Sequence, residues 1–312
     1  MLKIFAALLV VVGTGCSAST GATDAATTQA PPAPSAISTP ATTIVVPESL
    51  PANPEVAGLV TTLFGDNPPP LLFVDTGSDF FAIDDTGPAE LDVDGPVFSI
   101  AGNWVAGTEF IAPLGEPDEQ VAYGCPDVFS RGDQVVIADW CLGPTLRLID
   151  ADTGAELPTP DFPPRSGEDV IGYWFAEASG TQVIATIDVE GNLSSAATND
   201  GVDVTGEDYP GVAALSTDGA LFIYGDHSQS PSPHFTNTVT ARGTADGTVF
   251  GTWTVPGVVR GIQSDGTWLL ITEIAEEAAL EGLDKIVATT AIHLPSGAES
   301  RGVAPYELFL PR

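Results

Sequence analysis

The residues with the most chemical promise open the folded part of the chain: Phe73-Val74-Asp75-Thr76-Gly77-Ser78. A carboxylate on a tight turn after an apolar pair serves acid–base chemistry when a second carboxylate faces it and the two share one proton. Two more Asp-Thr-Gly triplets occur, at Asp85-Thr86-Gly87 and Asp152-Thr153-Gly154, but neither follows an apolar pair: Asp84 stands before one and Ala151 before the other. Further on, Asp265-Gly266-Thr267 has the order reversed. Asp226-His227 and His234 share a Ser/Pro-rich loop with Gln229 and Ser230. A histidine beside a carboxylate can bind metal or act as a base, but the plainer reading is a polar loop. The paired acids Asp84-Asp85, Asp92/Asp94, Glu168-Asp169 and Glu276-Glu277 offer oxygen ligands of the kind Ca²⁺ takes. None has the spacing of a calcium loop, and solvated turns account for them. With no Gly-x-Ser-x-Gly elbow, P-loop, HExxH or CxxC pattern, no metal and no cofactor are expected.

The stretch around Asp75 resembles the active-site loop of the aspartic peptidases. That resemblance implies an extracytoplasmic hydrolase with Asp75 as a catalytic carboxylate. The family places its second triplet far downstream with another long half-domain behind it, whereas only 47 residues follow Asp265. The competing reading makes Asp-Thr-Gly a turn sequence. There the Asp accepts local amide hydrogen bonds and the Gly supplies a positive φ.

Which reading holds depends on the elements that carry these residues. The chain has 312 residues, of which 42 are acidic and 9 basic, for a net charge of −33. Such a chain does not coat a polyphosphate backbone, so nucleic-acid partners are excluded. The first sixteen residues form a secretory signal, with Lys3, the apolar run Ile4–Val12 and then Gly13-Thr14-Gly15-Cys16. The apolar run is too short to span a bilayer. The stretch resembles a bacterial lipoprotein signal, which implies lipidation of Cys16. Gly13 departs from the aliphatic residue usual at that position. The alternative is cleavage after Ala18 and release as a secreted protein. Residues 17–54 are rich in Ala, Thr, Ser and Pro, with prolines clustered at Pro31, Pro32 and Pro34. They predict a disordered tether that buries too little surface to fold.

Residues 55–312 predict an all-β domain of short runs broken by Gly, Asp, Ser and Pro. A strand, a tight turn ending in Gly and a second strand recur around Gly77, Gly132, Gly180, Gly219 and Gly266. Their spacings are 55, 48, 39 and 47 residues, near the roughly 40–50 of a four-stranded propeller blade. A later turn repeats as Asp150-Ala151-Asp152-Thr153-Gly154 and His293-Leu294-Pro295-Ser296-Gly297. Ser216-Thr217-Asp218-Gly219 and Gln263-Ser264-Asp265-Gly266 resemble the Ser-Pro-Asp-Gly turns of TolB-like and WD40-like periplasmic β-propellers. The resemblance implies a propeller of five to six four-stranded blades, with an irregular unit near residues 95–130; a β-sandwich is the alternative. It implies a fold and no activity.

Within this domain Cys125 and Cys141 are equidistant from Asp133. A hairpin centred on Asp133 would oppose them directly, within disulfide range, in the oxidising compartment that export supplies. Two free thiols are the alternative. Trp140, Trp174, Trp253 and Trp268 are expected to fill the core between sheets rather than line a sugar-binding surface. Glu273–Asp284 is the one helix-like insertion. Asn192-Leu193-Ser194 is a glycosylation sequon only in a host that can use it.

These observations predict a cell-envelope lipoprotein whose propeller binds an envelope protein, a glycan or a small ligand without catalysis. It would touch the membrane only through its lipid. The alternative is a hydrolase that uses carboxylates near the propeller's channel.

Overall fold

The computed structural model describes residues 53–312 apart from 85–86, 94, 108–109, 115, 117–118, 123–125, 140–145, 161–169, 189–192, 207–209, 227–235 and 277–284. A helix, α1 (Pro54–Phe64), precedes six small antiparallel sheets. Blade 1 begins with β1 (Leu72–Asp75), β2 (Phe80–Asp84) and β3 (Gly87–Leu91). Blade 2 holds β4 (Val97–Ala101), β5 (Trp104–Gly107), β6 (Phe110–Pro113) and β7 (Val121–Ala122). Blade 3 holds β8 (Pro126–Arg131), β9 (Gln134–Asp139), β10 (Arg147–Asp150) and β11 (Glu156–Leu157). Blade 4 has β12 (Val170–Ala178), β13 (Thr181–Asp188) and β14 (Leu193–Thr198). Blade 5 runs through β15 (Pro210–Leu215), β16 (Leu221–Asp226), β17 (Thr238–Gly243) and β18 (Val249–Thr254). Blade 6 is β19 (Val258–Ser264), β20 (Trp268–Ile274), β21 (Ile286–His293) and β22 (Ala298–Gly302). The last strand, β23 (Glu307–Phe309), returns to pair with β1.

The molecule is therefore a six-bladed β-propeller. In blades 2 to 6 the first strand is innermost, and β4, β8, β12, β15 and β19 follow one another around the axis. In blade 1 the innermost place belongs to β23, so the ring is closed by strands from both ends of the described chain. Gln263 on β19 fastens this closure. Its Nε2 donates to Leu308 O at 3.1 Å and its Oε1 accepts from Leu310 N at 2.7 Å. Apolar side chains alternate along each strand and interleave between neighbouring sheets. Phe73, Phe80 and Phe309 of blade 1 meet Ile100 and Val105 of blade 2, and Ile223 and Val239 of blade 5 meet Leu269 and Ile271 of blade 6.

The five marker glycines all adopt positive φ, between 61° and 85°. A sixth, Gly102 at φ 53°, turns the β4–β5 hairpin. The 55-residue gap between Gly77 and Gly132 thus conceals a complete, compact blade in the segment that reads as irregular. Gly77 is not equivalent to the other markers. It lies between the second and third strands of its sheet, because the first strand of blade 1 comes from the other end of the chain. Blade 4 departs from the four-stranded pattern: its sheet has three strands, and the single bridge Ala197↔Asp203 stands beyond β14.

Two further corrections concern registers and boundaries. Pro126 pairs with Asp139 and Arg131 with Gln134, so the β8–β9 hairpin is centred between Gly132 and Asp133. Direct opposition of Cys125 and Cys141 does not follow from this ladder, and both cysteines lie outside the described residues. The segment expected to start a helix at Glu273 is strand through Ile274, and Glu273 is fully buried. Glu276 is helical, and residues 277–284 of that segment lie outside the described residues. Another helix among the described residues, which the sequence reading missed, is α1. Asn53 caps it by accepting the amides of Glu55 and Val56 at 3.0 and 3.3 Å, and Pro54 occupies the first turn where no amide partner is needed. Its apolar stripe (Val56, Leu59, Leu63 and Phe64) packs with Leu72, Leu308 and Trp268, covering the seam between blades 6 and 1.

Candidate functional site

A propeller of antiparallel blades has two unlike faces. Connections from first to second strand and from third to fourth emerge on one face, here called the turn face. Connections from second to third strand, and from one blade to the next, emerge on the other, the loop face. The turn face carries tight hairpins such as Gly102-Asn103, Gly132-Asp133 and Ser179-Gly180, while β11, β16 and β20 end, and β12, β17 and β21 begin, at the loop face. The Gly-first pairs place positive φ on their first residue, as type II′ hairpins require. Ser179 and Gly180 both have positive φ, at 48° and 81°, the type I′ arrangement. The Ser179 strain is held by its hydroxyl, which donates to Thr217 O at 3.0 Å on the next blade.

On the turn face the axis opens into a cavity of about 920 Å³ between blades 3, 4 and 5. Strand periodicity explains its walls. Along β12, Phe175 and Glu177 face blade 3, where Phe175 meets Phe129 with ring centroids 6.1 Å apart. Trp174, Ala176 and Ala178 face blade 5, where Trp174 meets Phe222 edge-on at 5.8 Å. Small side chains at Ala176, Ala178, Ala213 and Ala214 leave the space that larger residues would fill. Trp174 is half-buried and lines the cavity.

The ionic groups of the cavity are arranged in layers. Arg131 grips the buried Glu177 in a two-pronged fork, Nε to Oε1 at 2.7 Å and Nη2 to Oε2 at 2.6 Å. Gln182 Nε2 adds a third hydrogen bond to Glu177 at 3.0 Å. Arg312 donates Nη1 to both oxygens of Asp127, at 2.9 and 2.8 Å, while its amide reaches Ile100 O at 2.8 Å. The Arg131–Glu177 fork is strong and directional, whereas Arg312 spans the Asp127 carboxylate with one nitrogen. Two of the chain's nine basic residues are thus spent inside one cavity, each against its own carboxylate. Asp133 and Asp218 also line the cavity, and both are exposed. Asp218 accepts Ser216 Oγ at 2.5 Å and Ala220 N at 3.0 Å, and neither acid has a cationic partner among the described residues.

The structure places Asp75 elsewhere. It ends β1 on the loop face, is absent from the cavity wall and accepts Gly77 N at 2.6 Å. The rest of its loop is satisfied internally: Thr76 Oγ1 donates to Asp79 O at 3.0 Å and Ser78 Oγ to Asp79 Oδ2 at 2.6 Å. Its register partner on β23 is Glu307. Asp150 and Thr153 likewise form a turn: the Thr153 hydroxyl and amide each donate to Asp150 at 2.7 Å and hold its carboxyl below the usual range. Of the acids paired in sequence, Asp85, Asp94, Glu168, Asp169 and Glu277 lie outside the described residues, as do Asn192, Trp140, His227 and His234. Among the described residues no group of three or more His, Cys, Asp or Glu is placed to hold a metal ion. Trp268 is core, and Trp253 is half-buried on β18.

A second ionic cluster lies on the loop side of blade 6. Burial pushes the Glu273 carboxyl up, but Arg301, the Thr290 hydroxyl and the Gly257 amide together outweigh burial and hold it below the usual range. This cluster ties three strands and an interblade connection together and opens onto no cavity comparable to the axial one.

Sequence reasoning picked out the turns that frame the cavity without recognising a site in them. Arg131-Gly132-Asp133, Ser179-Gly180 and Thr217-Asp218 were legible as turns, but Glu177 and Arg312 become partners only through the ring. No family model matches the chain, and no curated protein matches it in sequence. Among solved structures, BBS1N in complex with ARL6DN is 12% identical, with 81% of this chain and 95% of that chain covered and a TM-score of 0.39. Hsv2p of Kluyveromyces lactis is 14% identical over 72% and 71% of the two chains, with a TM-score of 0.41. Dihydro-heme d1 dehydrogenase NirN in complex with DHE is 14% identical over 78% and 56%, with a TM-score of 0.39. Likeness at this level says nothing about what this chain binds.

Proposed function

We propose that this protein is a cell-envelope lipoprotein acting as a non-catalytic binding module. An acylated Cys16 and the 17–54 tether hold the propeller outside the membrane, and the axial cavity receives an envelope protein segment, a glycan or a small ligand. One observation carries the binding role: the cavity is large and partly apolar, its buried carboxylate Glu177 is already paired with Arg131, and the half-buried Asp127 is paired with Arg312. Pockets of about 300–1,000 Å³ with few fixed polar groups suit ligand capture. Glu177, the buried carboxylate of the cavity, is locked in a fork and is a poor base, because deprotonating a substrate would break the fork. The anchor rests on the sequence of residues 1–16, and the same export route supports a disulfide between Cys125 and Cys141.

The test is crosslinking in intact cells, capture of the mature protein and mass spectrometry of what accompanies it. A diacylated peptide starting at Cys16 and a ligand lost in Trp174→Leu are expected. An unmodified start at Ser19 would remove the anchor. A captured partner indifferent to Trp174 would remove the cavity.

A further inference from the structure

The cavity's charge arrangement narrows its ligand, on the reading above that the cavity is the binding site. We propose that it takes an organic cation, an alkylated or quaternary ammonium group whose apolar skirt lies against Trp174 and whose charge is met by Asp133 and Asp218.

An anion is disfavoured first. The guanidinium groups that would greet it, Arg131 and Arg312, already hold Glu177 and Asp127 at 2.6–2.9 Å. An anion would have to displace a carboxylate and leave it without its partner, a costly exchange for the buried Glu177. It would also approach against a net charge of −33. With the two ion pairs neutral, the rim retains two carboxylates and no free cation among the described lining residues. The Asp218 carboxylate is fixed in advance by Ser216 Oγ and Ala220 N, while the Gly132 hairpin sets the backbone position from which the exposed Asp133 side chain reaches.

A cation gains from each layer in turn. The field of an acidic protein steers it to the mouth. The two rim carboxylates then attract it without any internal pair having to break. Below them, the half-buried indole of Trp174 offers the aromatic surface over which alkylated ammonium groups are stabilised, more strongly once water is displaced. The alanines of β12 and β15 accommodate methyl groups, which a hydrated inorganic cation would not use. This separates the proposal from a metal site.

The test is calorimetric titration of the mature chain with four probes of one shape family: choline, its uncharged isostere with tert-butyl in place of trimethylammonium, tert-butylacetate, and tetraethylammonium. Choline and tetraethylammonium should bind, the neutral isostere about tenfold more weakly and the anion not at all. Raising the salt should weaken the cations and leave the isostere unchanged. The double variant D133N/D218N should lose the preference for charge while keeping its thermal midpoint. W174L should weaken every ligand, and W174F should restore most of the binding if packing against Phe222 is kept. Equal binding of choline and its isostere would overturn the ligand class but leave the cavity as the site. So would a Trp174-dependent hexose in the cell capture without any cation binding. Binding of no probe to folded protein would also overturn the cation, and the capture experiment would then decide separately whether the cavity binds anything.

Discussion

The two faces of the propeller are fastened by the same two devices in different proportion, local carboxylate caps and long-range ion pairs. On the turn face, carboxylates bind amides two or three residues away. Asp150 accepts from Thr153, Asp203 from Thr205 and Gly206, and Asp246 from Thr248. The loop face also has such a cap, Asp75 with Gly77. Its deepest anchor is long-range, as is the Arg131–Glu177 fork at the cavity: Glu273 on β20 gathers Arg301 of β22, Thr290 of β21 and Gly257 of the preceding connection. Local caps need little sequence and survive in any blade. A buried fork needs four segments to be in place before it forms. The cavity opens among the local caps, where each blade supplies a rigid turn. This contrast predicts that damage to the loop-face anchor is global, while damage to one turn stays with its blade.

The largest effect should come from Glu273→Ala. It strands Arg301, one third exposed, beside a cavity lined by Thr290 and Gly257, and should cost about 3–5 kcal/mol in denaturant unfolding. In a double-mutant cycle, removing Arg301 as well should add little. A cost below about 1 kcal/mol would erase the contrast between the faces.

Next in size is a pair of glycine substitutions with like φ and unlike surroundings. A methyl group on Gly219, at φ 71°, would sit 2.5 Å from Ala178 O on the neighbouring blade, whereas on Gly77, at φ 83°, it would meet nothing within 4 Å. Gly219→Ala should cost about 3 kcal/mol and Gly77→Ala about 1 kcal/mol. Equal costs would mean that interblade contact at the turn face contributes nothing.

Much of this was legible in the sequence because turns are local. Asp-Thr-Gly, Ser-Thr-Asp-Gly and Ser-Gly announce themselves through residues adjacent in the chain, and the glycines take the φ their positions imply. The helix α1 was missed, although Asn53-Pro54-Glu55 followed by Val56, Leu59, Leu63 and Phe64 is a capped amphipathic pattern. It is masked by the proline-rich run before it. Blade 2 was hidden because Gly102-Asn103 lacks the Asp or Ser of the other turns. The site was not legible, because Arg131 and Glu177 lie 46 residues apart and Asp127 and Arg312 lie 185 apart. Only ring closure brings them together, and no local pattern encodes it. Asp75 misled for the matching reason: a turn carboxylate and a catalytic one look alike until the strand that carries them is placed.

Acid titration should probe the turn-face caps more gently, at their own amides, since the loop-face Glu273 is held below the usual range as well. The Thr153 hydrogen bonds hold Asp150, and the Thr248 ones Asp246, below the ordinary value of 3.8. Burial raises Asp203, but bonds from Gly206 and Thr205 and the charge of Arg242 more than offset it. A depressed carboxylate contributes stability that is complete above its unfolded value and lost as pH falls through its folded one. The thermal midpoint should therefore stay level from neutral pH to about 5 and decline below about 4. Hydrogen-exchange protection at the Thr153, Thr205 and Thr248 amides, taken relative to the intrinsic rate at each pH, should fall over the same range. Protection that persists at those amides below pH 3 would show that the caps are not ionic.

The smallest effect belongs to Asp75→Asn, which still discriminates between the faces as working surfaces. Asparagine keeps an oxygen to accept Gly77 N, so the turn is retained. It also removes one of two like charges opposed across β1 and β23, Asp75 and Glu307. Opposed like charges in a ladder are unfavourable by roughly 0.2–1 kcal/mol, so the variant should be unchanged or slightly more stable, by less than about 0.5 kcal/mol. Ligand capture at the axial cavity should be indifferent, because Asp75 ends β1 on the far face. If instead the variant melts like the parent but loses hydrolysis of an envelope substrate, or loses the captured ligand, the working site is on the loop face. The ion pairs of Arg131 and Arg312 would then only hold the ring together.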